Sequence, residues 1–215
     1  FYTGWGGLKL SEVLFLNSWF MLWNFLLEAP TGTVADYLGR KASLAAGCLA
    51  AAGAALLYVT RPDFGVFLVA EVVFAASYTL LSGADEALAY DSLKHLGRQD
   101  EAVRTLASLE SFKLGGIIVA TMAGGFLSEW FGADAPMRFY ALPALAAFVL
   151  ACGLREPPAG APRPARASYL AVLREGGRLF LRDRTLLLLT AEMALTNALA
   201  WGLTYWMRFN LAYIP

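Results

Sequence analysis

The chain has 215 residues, of which 58% are hydrophobic and 16% are charged. A soluble domain carries roughly 45–50% apolar and about 25% charged residues, so this composition disfavours an ordinary soluble protein. Seventeen basic residues balance seventeen acidic ones, and this balance gives neither the footprint of a nucleic-acid-binding protein nor an acidic tail. Because the apolar residues gather in bilayer-length runs, we expect an all-α integral membrane protein.

The apolar runs predict helices in chain order. Residues 1–7 are interpreted as the end of a first helix that is already cut short, and residues 8–12 as a turn. Spans are then predicted at 13–27, 42–60, 64–89, 106–127 and 139–154, with a short loop between the first two. Together these elements form a predicted amino-terminal bundle, residues 1–154.

The composition changes sharply after residue 154. Residues 155–168 contain four prolines and four alanines among arginines, which predicts an extended linker because such a sequence cannot build a core. Residues 169–184 alternate apolar residues with arginine and predict an amphipathic helix on the membrane surface. The linker region is therefore 155–184, and residues 185–215 hold one more spanning helix, at 186–207.

The distribution of basic residues predicts the orientation. If the loop 28–41 is cytoplasmic, twelve basic residues lie on that side and four on the other, with Lys113 inside a helix. This asymmetry fits the positive-inside rule and places the linker in the cytoplasm.

Two short segments repeat at an offset of 93 residues. Residues 32–39, GTVADYLG, match residues 125–132, GFLSEWFG, in the order glycine, small residue, acid, aromatic, apolar residue and glycine. Three spans separate the copies, so the segments lie on opposite membrane faces, as an inverted repeat of three plus three helices requires. Glycine-rich turns that look alike by chance are the alternative.

The segment 28–41, EAPTGTVADYLGRK, is the most specific pattern in the chain. Gly32 and Gly39 allow a tight turn, Asp36 offers a carboxylate at a helix end, and Arg40 and Lys41 supply positive charge. The segment strongly resembles the signature loop between helices two and three of the major facilitator superfamily. A plain cytoplasmic turn that only fixes topology is the alternative.

The resemblance implies a major facilitator fold, a six-helix bundle with a 3+3 inverted repeat, here incomplete. It also implies alternating access and a latch, in which Asp36 meets a helix of the other half and Arg40 pairs with an acid near the end of helix four. The candidate partner acids are Asp85, Glu86 and Asp91. Tyr37 departs from the family pattern, which usually has a basic residue there.

The resemblance also bears on what is transported. Residues 116–125 match the family's antiporter motif weakly, because Ala120 and Thr121 stand where glycine and proline are expected. Efflux of small amphipathic compounds is favoured slightly over uptake of a nutrient. A membrane receptor or assembly protein that kept the fold and lost transport is the competing class.

Polar residues inside the predicted spans are candidates for contact with the substrate or a coupling ion. A carboxylate facing lipid is costly, so Glu71 and Glu192 are expected to face the interior or a wet cavity, where they could carry protons. A structural role near the helix ends is the alternative. Glu110 and Lys113 can pair with each other or with Asp85 and Glu86, for gating or for helix adhesion. The full set is Asn17, Asn24, Glu28, Glu71, Tyr78, Glu110, Lys113, Glu192, Asn197 and Trp201.

An enzyme is not expected, because the sequence has no Ser-His-Asp arrangement and no phosphate-binding loop. Cys48 and Cys152 are isolated from each other and from any histidine at metal-ligand spacing, so we expect packing roles and no metal or cofactor. The expected partners are the lipid bilayer, a small-molecule substrate and protons as coupling ion, with no nucleic acid. The expected location is the plasma (cytoplasmic) membrane.

Overall fold

A computed structural model describes residues 1–158, 178, 182–193, 195, 196 and 199, with the backbone alone at 29, 33, 36 and 37. The chain divides into two units, Phe1–Pro158 and Ala159–Pro215. The first unit holds six α-helices, and the part of the chain that the structure describes contains no strand. The all-helical class predicted from the sequence is therefore confirmed.

Helix α1 spans Leu10–Leu38, so it is longer than the predicted span 13–27 and contains most of the predicted loop 28–41. Pro30 lies inside the helix. The hydroxyl of Thr31 donates to the carbonyl oxygen of Leu27 at 2.8 Å, which gives that polar side chain a partner within the helix. The helix ends at Gly39, whose φ of 100° strongly favours glycine. The loop interpretation of residues 28–38 was wrong.

The remaining helices of this unit are α2 at Arg40–Tyr58, α3 at Phe64–Leu81, α4 at Ala84–His95, α5 at Ala102–Phe131 and α6 at Ala135–Gly153, with a 3₁₀ turn at Gln99–Glu101. The predicted span 64–89 is thus two helices, because Gly83 adopts a left-handed conformation between them, with a φ of 67°. Residues 2–6 form turns, not the end of a helix.

Five segments are long and apolar enough to cross a membrane, judged by length and composition within the described residues. They are Leu10–Glu28, Arg40–Tyr58, Phe64–His95, Gln99–Phe131 and Ala135–Gly153. Each corresponds to one predicted span, and the bilayer-spanning character expected from composition is retained in the fold.

Helix α2 lies at the centre of the unit and packs against α3 and α6. Its buried residues are mostly small, which lets the neighbouring backbones approach closely. Two serine hydroxyls join α2 to α3: Ser43 donates to the carbonyl oxygen of Leu80 at 2.7 Å, and Ser77 donates to that of Gly47 at 2.8 Å. These bonds fix the register of the two helices.

The two repeated segments have the same structure. Helix α1 has 29 residues and α5 has 30, and the helices that follow them, α2 and α6, have 19 each. Gly39 and Gly132, the last residues of the two segments, have φ of 100° and 102° and ψ of 156° and 164°. The internal repeat predicted from the sequence therefore corresponds to a repeated helix, glycine turn and helix.

Aromatic residues gather where α2 ends and α3 begins. Phe67 and Tyr58 are almost fully buried there, and the rings of Phe1, Tyr2 and Trp5 pack around Phe67. We call these five residues the aromatic cluster. The aromatic cluster lies where α2 ends. We call the other end of α2, which Gly39 precedes, the Gly39 end.

In the second unit, residues 184–193 are helical, and the Asp183 carboxylate accepts a hydrogen bond from the backbone amide of Thr185 at 2.8 Å. An aspartate at a helix start satisfies amides that lack a partner within the helix. The predicted span 186–207 begins here. The predicted linker and amphipathic helix lie almost entirely outside the described residues.

Candidate functional site

The signature segment 28–41 forms the last turns of α1, the Gly39 turn and the start of α2. The backbone amide of Arg40 donates to Oε1 of Glu156 at 2.7 Å, and the amide of Lys41 lies 3.4 Å from Oε2 of the same carboxylate. Glu156 follows the end of α6. Sequence reasoning missed this residue, and the only local signal for it is a helix that begins after a glycine, which cannot cap the amides with a side chain.

The two residues assigned to the latch flank the Gly39 turn, with Asp36 in the last turn of α1 and Arg40 at the start of α2. The side chain of Asp36 is outside the described residues, and Gly32 lies in α1 ahead of it. Arg40 is the first residue of α2 and is half-buried. The latch interpretation therefore stays a prediction.

Four charged side chains of α4 and α5 form an ionic cluster, which we define as Asp85, Glu86, Glu110 and Lys113. The Lys113 ammonium lies 3.0 Å from Asp85, 3.8 Å from Glu86 and 2.6 Å from Glu110. The structure thus brings together the four residues that the sequence predicted could pair. It places two candidate partners of Arg40 beside Lys113, while the third, Asp91, is half-buried further along α4.

The ionic cluster is close to the Gly83 break. Asp85 and Glu86 occupy the first turn of α4, where negative charge is favourable at a helix amino terminus. Because α3 ends at Leu81, Asp85 lies on a different helix from Glu71 and Tyr78.

The cluster lies on an uncovered face of the unit. Lys113 is 43% exposed, and Asp85, Glu86 and Glu110 are 35%, 52% and 54% exposed. Ala102 is the only buried residue of α5. Both helices belong to candidate membrane spans, and this face presents three carboxylates and one ammonium.

Helix α1 contributes three polar candidates, of which Glu28 lies nearest the Gly39 end. Glu28 accepts a hydrogen bond from the hydroxyl of Ser82 at 3.2 Å, which links α1 to the end of α3. Asn24 is half-buried, and its Oδ1 is buried without a hydrogen-bond partner among the described residues. Asn17 is half-buried in the same helix.

Glu71 is the one buried carboxylate among the candidates that the structure describes, with 6% of its surface exposed. The hydroxyl of Tyr2 donates to its Oε1 at 2.7 Å, and the hydroxyls of Tyr2 and Tyr58 lie 3.4 Å apart. Glu71 is therefore inside the bundle, as the sequence predicted, and at the aromatic cluster. Tyr2 could not have been foreseen as its partner, since 69 positions separate them.

The remaining candidates are spread more widely. Tyr78 is 56% exposed on α3 and contacts the ring of Phe20 edge-on, with centroids 6.2 Å apart. In the second unit, Glu192 accepts a hydrogen bond from the hydroxyl of Thr196 at 3.0 Å. Asn197 and Trp201 lie outside the described residues.

The chemistry that these groups offer is charge and hydrogen bonding. Within residues 1–158 and the described part of 178–199, no group of three or more metal-ligating side chains is close enough to hold an ion. The arrangement is instead one of charged and amphipathic side chains within membrane-length helices, of which Glu71 is enclosed and the ionic cluster is open. Ionisable groups within membrane spans are rare because charge is costly there.

The comparisons with known proteins agree with this arrangement. The sequence model described as Major Facilitator Superfamily matches residues 5–215. Neither the curated proteins nor the solved structures include a significant match. The family model covers nearly the whole chain, so the chain belongs to the major facilitator superfamily of membrane transporters.

Proposed function

We propose that this chain contributes the substrate pathway and the cytoplasmic latch of a secondary transporter that moves a small molecule by alternating access. The observation that carries the proposal is the ionic cluster, where Lys113 of α5 pairs with Asp85 of α4 and with Glu110 of its own helix. The cluster lies in two candidate spans and on an uncovered face.

The cost of charge in a bilayer supports this assignment. Charged side chains that face lipid inside a bilayer are costly. We infer that the three carboxylates and the ammonium of the ionic cluster face water or another part of the protein. In a superfamily built from two halves that move against each other, the central cavity between the halves is such a place.

The Gly39 turn supports the gating part of the proposal. It places the Arg40 guanidinium at the start of α2 and Asp36 three positions before the turn, at the predicted cytoplasmic end. A helix amino terminus and a nearby carboxylate can bias one of two arrangements of the halves without taking part in substrate binding. We further propose that the transporter exports an amphipathic compound and uses protons as the coupling ion.

Flux measurements test the proposal. The full-length gene product in proteoliposomes is assayed for uptake and efflux of a panel of dyes and metabolites, with and without a proton gradient. We expect gradient-dependent movement of at least one compound, and we expect Lys113→Ala to reduce it. Exposed Lys9, on the same chain but outside the spans, supplies the matched control Lys9→Ala. Equal flux in protein-free vesicles and proteoliposomes across the panel would contradict the proposal.

A receptor or assembly protein with the same fold is the second candidate, favoured by the buried Glu71. A carboxyl group enclosed by Tyr2 and Tyr58 can serve packing alone. If Glu71→Gln and Lys113→Ala both leave flux at the wild-type level, the polar groups have structural roles and this candidate gains support.

A further inference from the structure

We propose that Glu156 is a positioning residue of the signature turn, whose carboxylate caps α2 and thereby holds Arg40 in place for the latch. This inference rests on the proposed function for the role of the latch. The contact itself rests on the geometry of Glu156 with the amides of Arg40 and Lys41.

The first argument concerns the start of α2. The first amides of a helix have no partner within it and need an acceptor. Gly39 at the cap position has no side chain to accept their hydrogen bonds. The Glu156 carboxylate supplies both acceptors, and its negative charge is also favourable at the positive end of the helix dipole. A residue 116 positions away thus performs the function of a local cap.

The second argument concerns the space above Gly39. A Cβ atom added there would lie 2.9 Å from Oε1 of Glu156, closer than real Cβ atoms approach. Any side chain at Gly39 would therefore displace the tip of the Glu156 side chain from its place at the start of α2. The positive φ of this glycine and the remote carboxylate are two parts of one arrangement.

The third argument comes from the second copy of the repeat. A Cβ added at Gly132 would lie 3.3 Å from Oδ1 of Asp134, a buried residue that also pairs with Arg138. There the acid is local, two positions after the glycine. In the first copy Arg40 and Lys41 follow the glycine, and the acid comes from beyond α6. A carboxylate thus lies beside the glycine in both copies, but the Asp134 side chain makes no capping hydrogen bond to α6, and only Glu156 caps a helix from another segment.

The position of Glu156 gives this contact a consequence for gating. Glu156 comes three residues after Gly153, the end of α6, and is followed by Pro157 and Pro158, which restrict the backbone. The first residues of the predicted linker are therefore attached to the turn that carries the latch. A displacement of the linker during transport would be transmitted to Arg40 through this carboxylate.

The first arm of the test measures the contact. Hydrogen exchange of the Arg40 and Lys41 amides is followed by mass spectrometry in the full-length protein. We expect Glu156→Ala to raise the exchange rate about three- to tenfold, and Glu156→Gln, which keeps an acceptor oxygen, to raise it less. The matched control is Glu12→Ala, because the Glu12 carboxylate also accepts an amide hydrogen bond at a helix start, from Lys9 at 2.7 Å. Unchanged exchange in both Glu156 variants would overturn the proposal.

The second arm separates positioning from simple capping. The substitution Tyr78→Cys is introduced into a protein that also carries Cys48→Ala and Cys152→Ala. This protein is treated with a membrane-impermeant maleimide from the cytoplasmic side. We expect Glu156→Ala and Arg40→Ala each to raise the alkylation rate several-fold, and Glu156→Gln to restore most of the wild-type value. If Arg40→Ala raises the rate and Glu156→Ala does not, the positioning role is overturned and the proposed function stands. If neither variant changes the rate, the latch fails, and Glu156 is a helix cap only.

Discussion

The contact between α2 and α3 makes a quantitative prediction at Gly47. A Cβ atom at this position would lie 2.7 Å from Cγ and 2.9 Å from Cδ2 of Leu81, and 3.2 Å from the carbonyl oxygen of Ser77. The branch atom of Leu81 cannot move aside as easily as a side-chain tip, and the Ser77 backbone lies behind it. Overpacking of this kind costs about 1–3 kcal/mol. We therefore expect Gly47→Ala to have a Tm about 3–9 °C below that of an alanine substitution at an open glycine of α2, which gains the same helix propensity.

The same helix offers a matched control. A Cβ at Gly53 meets nothing within 4 Å, so Gly53→Ala adds a methyl group to the same element without a clash. It is expected to leave Tm unchanged or raise it, because alanine favours a helix over glycine by about 0.8–1.0 kcal/mol. Thermal unfolding of both variants in detergent provides the measurement. Equal Tm values for the two would refute the close approach of α2 and α3.

Three further substitutions test separate parts of the structure. Lys113→Ala should lower the unfolding free energy by about 1 kcal/mol, since its ion pairs are exposed, and in a double-mutant cycle Asp85→Asn should cost less in that background than alone. Glu71→Ala should lower the free energy of unfolding, measured by chemical denaturation, by about 2–3 kcal/mol, because it opens a cavity and removes the acceptor of the Tyr2 hydrogen bond. A decrease below about 0.5 kcal/mol would contradict the burial of Glu71. Asp36→Asn should reduce transport while membrane insertion, followed by surface labelling, stays at the wild-type level; wild-type flux would remove this residue from the latch.

The sequence predicted the order of the five apolar spans in residues 1–154, because hydrophobicity reports the bilayer directly. Their ends were harder to predict. Residues 28–41 were interpreted as a loop, yet α1 continues to Leu38, and the Thr31 hydroxyl bonds within that helix. The break at Gly83 was missed because its φ of 67° leaves no trace in a hydropathy average over many residues.

Long-range contacts explain what was missed at the site. The repeat at Gly39 and Gly132 could be read from the sequence because both copies need the same glycine conformation. The ionic cluster could be anticipated in part, because Glu110 and Lys113 are neighbours on one helix. Glu156 contacts the amides of Arg40 and Lys41, which lie 116 and 115 positions before it in the sequence. No local sequence pattern predicts a contact over such a separation.

The central claim is that a cavity in this protein opens alternately to the two sides of the membrane. Alkylation of Tyr78→Cys in the full-length protein, by an impermeant maleimide applied to each side in turn, tests this claim without knowledge of the substrate. The account predicts alkylation from both sides of the membrane. It also predicts that a change in conditions that raises the alkylation rate from one side lowers the rate from the other side. Reaction from one side only under all conditions, or from neither side, would contradict alternating access.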